Sequence, residues 1–239
     1  MNKRTWLILG ATSIIAEEFA HLAAQAGNSL ILVARNREQL AVIAADIQLR
    51  YHVQCDFIFT DFAGDLSEVL QILQPHQQEV DLFIAYSSIL ENHELNQENI
   101  NELVRVNILS TVQFIHAYQT KPQTQYRLIF LSSVAACRGR AKNSLYGGSK
   151  AAIETYLEGL QQSKDNDFQI TIARLGFIDT VQTFGLPGIF YASPPKACAK
   201  ACWRASFAQK RLIYHPFFWR FIMSLIRHLP FAIYKRMKL

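Results

Sequence analysis

Strand-length runs, most of them wholly apolar, recur along this chain, and four of the six are followed by a stretch of helical periodicity. That alternation restricts the fold more than any other feature. The runs fall at residues 6–9, 30–34, 57–59, 82–85, 128–131 and 169–173. A strand that is apolar at every position is covered on both faces, as in a parallel sheet enclosed by helices. Helical patterns fill 14–26, closed by Gly27-Asn28, then 98–118, 146 to about 163, and 196–208, with a last short strand at 211–214. With 239 residues, half of them hydrophobic, the chain can bury a full core. The expectation is one doubly wound α/β domain over 1–214, a parallel sheet of about seven strands with helices on both faces, and a separate tail over 215–239.

The first run leads straight into Gly10-Ala11-Thr12-Ser13 and then a helix bearing Glu17 and Glu18. A basic start followed by an apolar stretch superficially resembles a signal peptide, but this continuation is that of a first strand and phosphate loop. In such a Rossmann-type βαβ unit a glycine lets the backbone approach a pyrophosphate, whose charge sits at the positive end of the helix.

A second stretch, Ser132 to Lys150, carries the candidate chemistry. The run 128–131 delivers Ser133 at a strand end, and the following helix carries Tyr146 and Lys150. Residues four apart share a helical face, so the Lys150 ammonium is expected beside the Tyr146 phenol, favouring the phenolate and making it a better acid and base near neutral pH. A serine hydroxyl nearby can hydrogen-bond a substrate oxygen. Tyrosine and lysine at this spacing also occur in helices with no chemistry, so the surroundings decide.

Ser133, Tyr146 and Lys150, with thirteen residues from the serine to the tyrosine, resemble the catalytic set of the short-chain dehydrogenase/reductase family. The resemblance implies that Asn107, in the helix 98–118, completes the set by bending that helix and supporting a proton-relay water. It implies cofactor contacts from Gly10, Thr12, Ser13, Ile14 and Ile15 in the first turn, and from Asp61 beside the adenine. Ala85 and Tyr86 after the fourth strand, Tyr146 and Lys150 themselves, and Gly176, Ile178 and Thr180 after the sixth strand complete the cofactor set. Arg35, at the end of the second strand, points to the 2′-phosphate of NADP(H), with NAD(H) the second choice. Ile14 and Ala16 stand where the family has glycines, Tyr86-Ser87-Ser88 replaces Asn-Asn-Ala-Gly, and Leu175 replaces a proline. Family members pair through the helices read here at 98–118 and 146–163, so a homodimer is the default. Residues 181–195, with Gly185, Pro187, Gly188, Pro194 and Pro195, read as a substrate lid.

The net charge of +5 is unevenly distributed: residues 1–179 hold 14 Lys and Arg against 19 Asp and Glu, whereas 180–239 hold 10 Lys and Arg and no acid. From His215 onward the chain interleaves those cations with Trp219, several phenylalanines and aliphatics, leaving on a helix only a narrow polar stripe of Arg220, Ser224 and Arg227. This is the composition of a helix lying in a membrane interface, and the alternatives are a dimer partner or a cover for the substrate cleft. Nucleic acid is a poor fit, because the positive charge forms no exposed polar face. No apolar run reaches the ~20 residues of a membrane span. Cys55, Cys137, Cys198 and Cys202 show no metal or disulfide framework and read as reduced thiols of a cytoplasmic protein.

Trp219 to Met223, Arg227-His228-Leu229-Pro230 and the block Leu145 to Lys150 are further similar to the keto-reductase partner of the decaprenylphosphoryl-ribose epimerase system. That likeness implies reduction of a polyprenyl-phosphate-linked keto sugar at the membrane's inner face, after a flavoprotein partner has made it. Arg138, Arg140 and Lys142 would then be candidates for holding the phosphodiester. The competing functions are reduction of a free hydrophobic ketone of steroid or acyl type, and a non-catalytic nucleotide-binding scaffold suggested by Ile14, Tyr86 and Leu175.

Overall fold

Seven strands form one sheet in the order β3-β2-β1-β4-β5-β6-β7, every neighbouring pair parallel. They are β1 (Thr5–Leu9), β2 (Ser29–Ala34), β3 (Cys55–Phe59), β4 (Val80–Ile84), β5 (Tyr126–Ser133), β6 (Phe168–Leu175) and β7 (Leu212–His215). The structure is a computed structural model describing residues 4–74, 79–163, 168–180 and 191–237. β1 and β4 are buried at every position, as central strands of a sheet covered on both faces must be, and the one charged residue in them, Asp81, is paired with Arg4 and Arg127.

On one face α1 (Ile14–Gln25), α2 (Arg37–Tyr51) and α7 (Pro195–Phe207) cover the sheet around Trp6, Phe19 and Phe83, with the two phenyl rings stacked at 4.0 Å. The other face is covered by α3 (Ser67–Ile72), α4 (Gln97–Val104), α5 (Thr111–Thr120) and α6 (Ser144–Ser163), packed around Phe114, Tyr118, Phe130 and Leu157. The order of strands reverses about β1, and such sheets bind ligands in the crevice at the carboxyl ends of the strands flanking that switch, here β1 and β4.

Two elements depart from the sequence reading. The helix expected over 98–118 runs without a break over 97–120 but changes its winding: α4 and α5 are joined by a π-helical turn at Arg105–Ser110, which contains Asn107. The tail is two helices, α8 (Trp219–His228) and α9 (Phe231–Tyr234). Leu229 is extended (φ −62°, ψ 131°) because the residue before a proline, here Pro230, is driven out of helical geometry. Of the expected lid, 181–190 lies outside the described residues. Pro195 opens α7, and Ser193 pairs through its backbone with Phe177 and Asp179.

Candidate active site

Close backbone approach builds the site. Gly147 in α6 lies so near the turn after β5 that a Cβ there would come within 2.7 Å of the Ala135 carbonyl oxygen. A glycine at this point lets α6 press onto the turn, bringing Tyr146 to Ser133, the last residue of β5. The Ser133 hydroxyl accepts from the Ala135 N–H at 3.1 Å, and the buried Tyr146 phenol shares hydrogen bonds with the Ser133 and Ser87 side chains. Burial pushes the phenol pKa up; those hydrogen bonds and the positive charge of Arg140 oppose the rise. Helical spacing suggested that Lys150 supplies this influence, but its Nζ is turned to the Leu131 carbonyl at 2.9 Å, above the Phe130 ring. Burial lowers the Lys150 pKa to about 7, against the opposing charge of Glu154.

Asn107 is buried in the π-helical turn, and its side chain acts as a brace. Its Oδ1 accepts from Ser88 N–H at 2.7 Å, and its Nδ2 donates to the Ser88 carbonyl and to Ser149 Oγ. Ser149 in turn donates to the Tyr146 carbonyl at 2.8 Å. The brace thus ties the segment after β4 to the first turns of α6.

A buried ion pair supports the same corner. Glu154, one helical turn beyond Lys150, receives Ser132 Oγ at 2.5 Å and the Arg174 guanidinium at 2.6 to 3.1 Å, while Arg174 also donates to Tyr214 Oη at 2.7 Å. It joins α6, β5, β6 and β7 directly behind Ser133. Sequence reasoning missed Ser87, Ser149, Glu154, Arg174 and Tyr214. The only available signal was polar residues inside otherwise apolar elements, which did not reveal their partners.

The residues expected to bind the cofactor follow the carboxyl ends of β1, β2, β3, β4 and β6, with Tyr146 and Lys150 on α6. Gly10 has φ +84°, and a Cβ on it would lie 2.7 Å from Tyr86 N, so the first turn packs backbone to backbone against the segment after β4. Ser13 precedes α1 without capping it by its side chain, leaving the first helical N–H groups for an anion. Ile14 is 48 % exposed beside that turn, whereas the Ile15 side chain faces the core and has only its backbone to offer. Thr12 and Ala85 are half-buried, and Arg35 is exposed just before Asn36, which caps α2. Asp61 is exposed after β3, with one carboxylate oxygen accepting from Ala63 N–H. Tyr86 leaves the crevice clear: its ring is buried, stacked on Phe62 at 3.8 Å, and its hydroxyl meets Ser110 and Thr111. Gly176 bonds to β7 through His215 and lies under the indole of Trp219, which a Cβ would strike; Ile178 is buried and Thr180 half-buried beyond it. A close-approach turn, free helix N–H groups, a cation after β2 and a carboxylate after β3 fit a nicotinamide dinucleotide.

The three basic candidates separate. Arg138 donates to the Ile226 and Leu229 carbonyls and lies 3.9 Å over the Tyr234 ring, so it holds the tail. Lys142 is paired with Glu91 at 2.8 Å. Arg140 alone keeps its charge near Tyr146, half-buried and with its pKa lowered by that burial. Among the described residues no three His, Cys, Asp or Glu gather as a metal site.

The family model for short chain dehydrogenase matches residues 4–184. An uncharacterized oxidoreductase of Mycobacterium tuberculosis (strain ATCC 25618 / H37Rv) is 27 % identical over 240 residues, covering 97 % of this chain and 96 % of that one. Among solved structures, one from a study of 7beta-hydroxysteroid dehydrogenase stereoselectivity superposes with a TM-score of 0.87 at 19 % identity, covering 98 % of this chain and 96 % of the other. A short-chain dehydrogenase from Sphingobium yanoikuyae in complex with NADPH gives 0.80 at 18 % identity, covering 95 % and 96 %.

Proposed function

Because the chain belongs to the short-chain dehydrogenase/reductase family of NAD(P)-dependent oxidoreductases, we propose that it reduces a ketone to a secondary alcohol with NADPH, NADH being the weaker cofactor. The observation that carries this reading is the Tyr146 phenol, hydrogen-bonded to Ser133 at the mouth of the dinucleotide crevice and one helical turn from Lys150. Ser133 polarises the carbonyl by donating a hydrogen bond to its oxygen, and Tyr146 gives that oxygen its proton. Lys150 holds the nicotinamide ribose, and Asn107 supports the relay that reprotonates Tyr146. The bound nicotinamide supplies the hydride. Arg35 would meet the 2′-phosphate, as the likeness to an NADPH-bound structure also suggests.

The substrate we favour is a keto sugar linked to a polyprenyl phosphate, made by a separate flavoprotein and reduced at the inner membrane surface by a homodimer. The acid-free, aromatic tail over 215–239, appended to the Rossmann-type domain 1–214, supports this choice, and Arg140 is the cation best placed for the phosphate. The apolar roof of Trp219, Phe177 and Phe218 equally suits a free hydrophobic ketone, the second reading.

Fluorescence titration with NADPH and NADH tests the cofactor assignment. Arg35→Ala is expected to weaken NADPH by roughly tenfold, the worth of a charged hydrogen bond, and to leave NADH unchanged. Failure of the wild type to bind either cofactor would remove the reductase reading in favour of a scaffold. Turnover of lipid-linked keto sugars against free ketones then separates the two substrates.

A further inference from the structure

The tail helix α8 has two faces of different character. Trp219, Met223 and Ile226 are buried against Val134, Cys137, Phe177 and Tyr214, roofing the segment that follows Ser133. Arg138 closes the end of α8 by binding the Ile226 and Leu229 carbonyls, and the Tyr234 hydroxyl donates to the Gly139 carbonyl. The tail is therefore fastened to the loop between Ser133 and Tyr146 at both ends of α9.

The outer face has no such cover. Phe217, Phe221 and Leu225, spaced four apart, are 60 %, 65 % and 67 % exposed, and α9 adds Phe231 at 70 % and the exposed Ile233. Arg220 and Arg227 on α8 and Lys235 and Arg236 directly after α9 are all exposed, and none is in an ion pair among the described residues. No Asp or Glu occurs between 180 and 239. We propose that the outer face of α8 and α9 docks in the plane of an anionic bilayer leaflet, Phe217, Phe221, Leu225 and Phe231 entering the headgroup layer and the four cations meeting lipid phosphates. The assignment deepens the membrane-surface part of the proposed function.

Charge and shape choose this occupant. An apolar row rimmed by cations of one sign matches an apolar layer bordered by anions. A second copy of the chain would bring the same cations together in a two-fold contact. No helix among the described residues is long and apolar enough to cross a membrane, so the tail would lie on the surface. Since its inner face roofs the catalytic segment, docking also brings the reacting residues to the lipid, and an amphiphilic ketone would be presented where it already resides.

Flotation of the full chain with phosphatidylcholine vesicles, with and without phosphatidylglycerol, tests the proposal. The wild type is expected to favour the anionic vesicles. Arg220→Gln with Arg227→Gln should weaken binding about 30-fold, each cation acting independently near the surface. Phe221→Ser with Leu225→Ser should weaken it at least as far, and both double variants should reduce a water-soluble ketone as the wild type does. Equal binding to neutral and anionic vesicles, or binding unchanged in either variant, would overturn the assignment. A wild-type dimer that becomes monomeric with Phe221→Ser and Leu225→Ser would assign the face to a second copy and equally overturn it. A wild type that binds anionic vesicles but reduces no ketone would leave docking standing and remove the reductase reading.

Discussion

Replacing Glu154 by glutamine removes one charge from a pair enclosed among four elements. Glu154 and Arg174 are both buried, and the carboxylate accepts from Arg174 at 2.6 to 3.1 Å and from Ser132 at 2.5 Å. Glutamine keeps the shape but offers one neutral amide oxygen in place of the carboxylate, so the guanidinium stays inside with Tyr214 Oη at 2.7 Å and with no counter-charge nearer than the more exposed Glu158 at 3.9 Å. Breaking a buried pair from one side costs about 3–5 kcal/mol, chiefly through the charge left behind. For a chain of this size each kcal/mol moves Tm by about 2–4 °C, so Glu154→Gln should melt roughly 6–20 °C below the wild type. Adding Arg174→Met removes the stranded charge and should recover most of that loss. Thermal denaturation followed by circular dichroism, with urea titration for the free energy, measures both variants. A single-variant loss below about 1 kcal/mol would place the pair with exposed ion pairs and refute the reasoning. So would a double variant no more stable than the single.

Other perturbations probe the reacting groups and their packing. Lys150 titrates near 7 in the folded protein against 10.5 in an exposed reference, so between those values the unfolded chain holds a proton that the native state does not. Stability measured against Lys150→Met should therefore rise by up to about 1.4 kcal/mol per pH unit from pH 7 towards 10.5. A flat difference would show that the ammonium is not buried as described. Arg140→Gln removes a charge that opposes the raised pKa of Tyr146, so the limb of the pH profile for alcohol oxidation should move to higher pH. An unmoved limb would disconnect Arg140 from the phenol. Gly147→Ala places a methyl against the Ala135 carbonyl and should cost about 1–3 kcal/mol together with kcat. Gly148→Ala meets nothing within 4 Å and should gain up to about 1 kcal/mol from helix propensity. Equal effects at the two positions would contradict the close approach of α6.

The alternation of apolar runs and helical patterns, read from the sequence alone, already determined a doubly wound parallel sheet, because burial on both faces makes the strands nearly continuous apolar runs; Asp81 and Arg174, two charged exceptions, are paired inside. The spacing of Ser133, Tyr146 and Lys150 was legible for the same local reason: a strand end and two positions on one helical face need only the chain's own periodicity. Tertiary structure decided what each charge and ring faces. Arg138, Arg140 and Lys142 look alike in sequence, yet only the packing of α8 against the loop binds Arg138 to carbonyls about ninety residues away and leaves Arg140 near Tyr146. Tyr86 stands in a cofactor position, and whether it blocks the crevice depends on Phe62, Ser110 and Thr111, which come from elements placed beside it by strand order. Glu154 and Arg174 are twenty residues apart and read as unrelated polar interruptions until α6 crosses β6. Local periodicity records which face of an element is buried. Which partner waits there is set by how the elements stack.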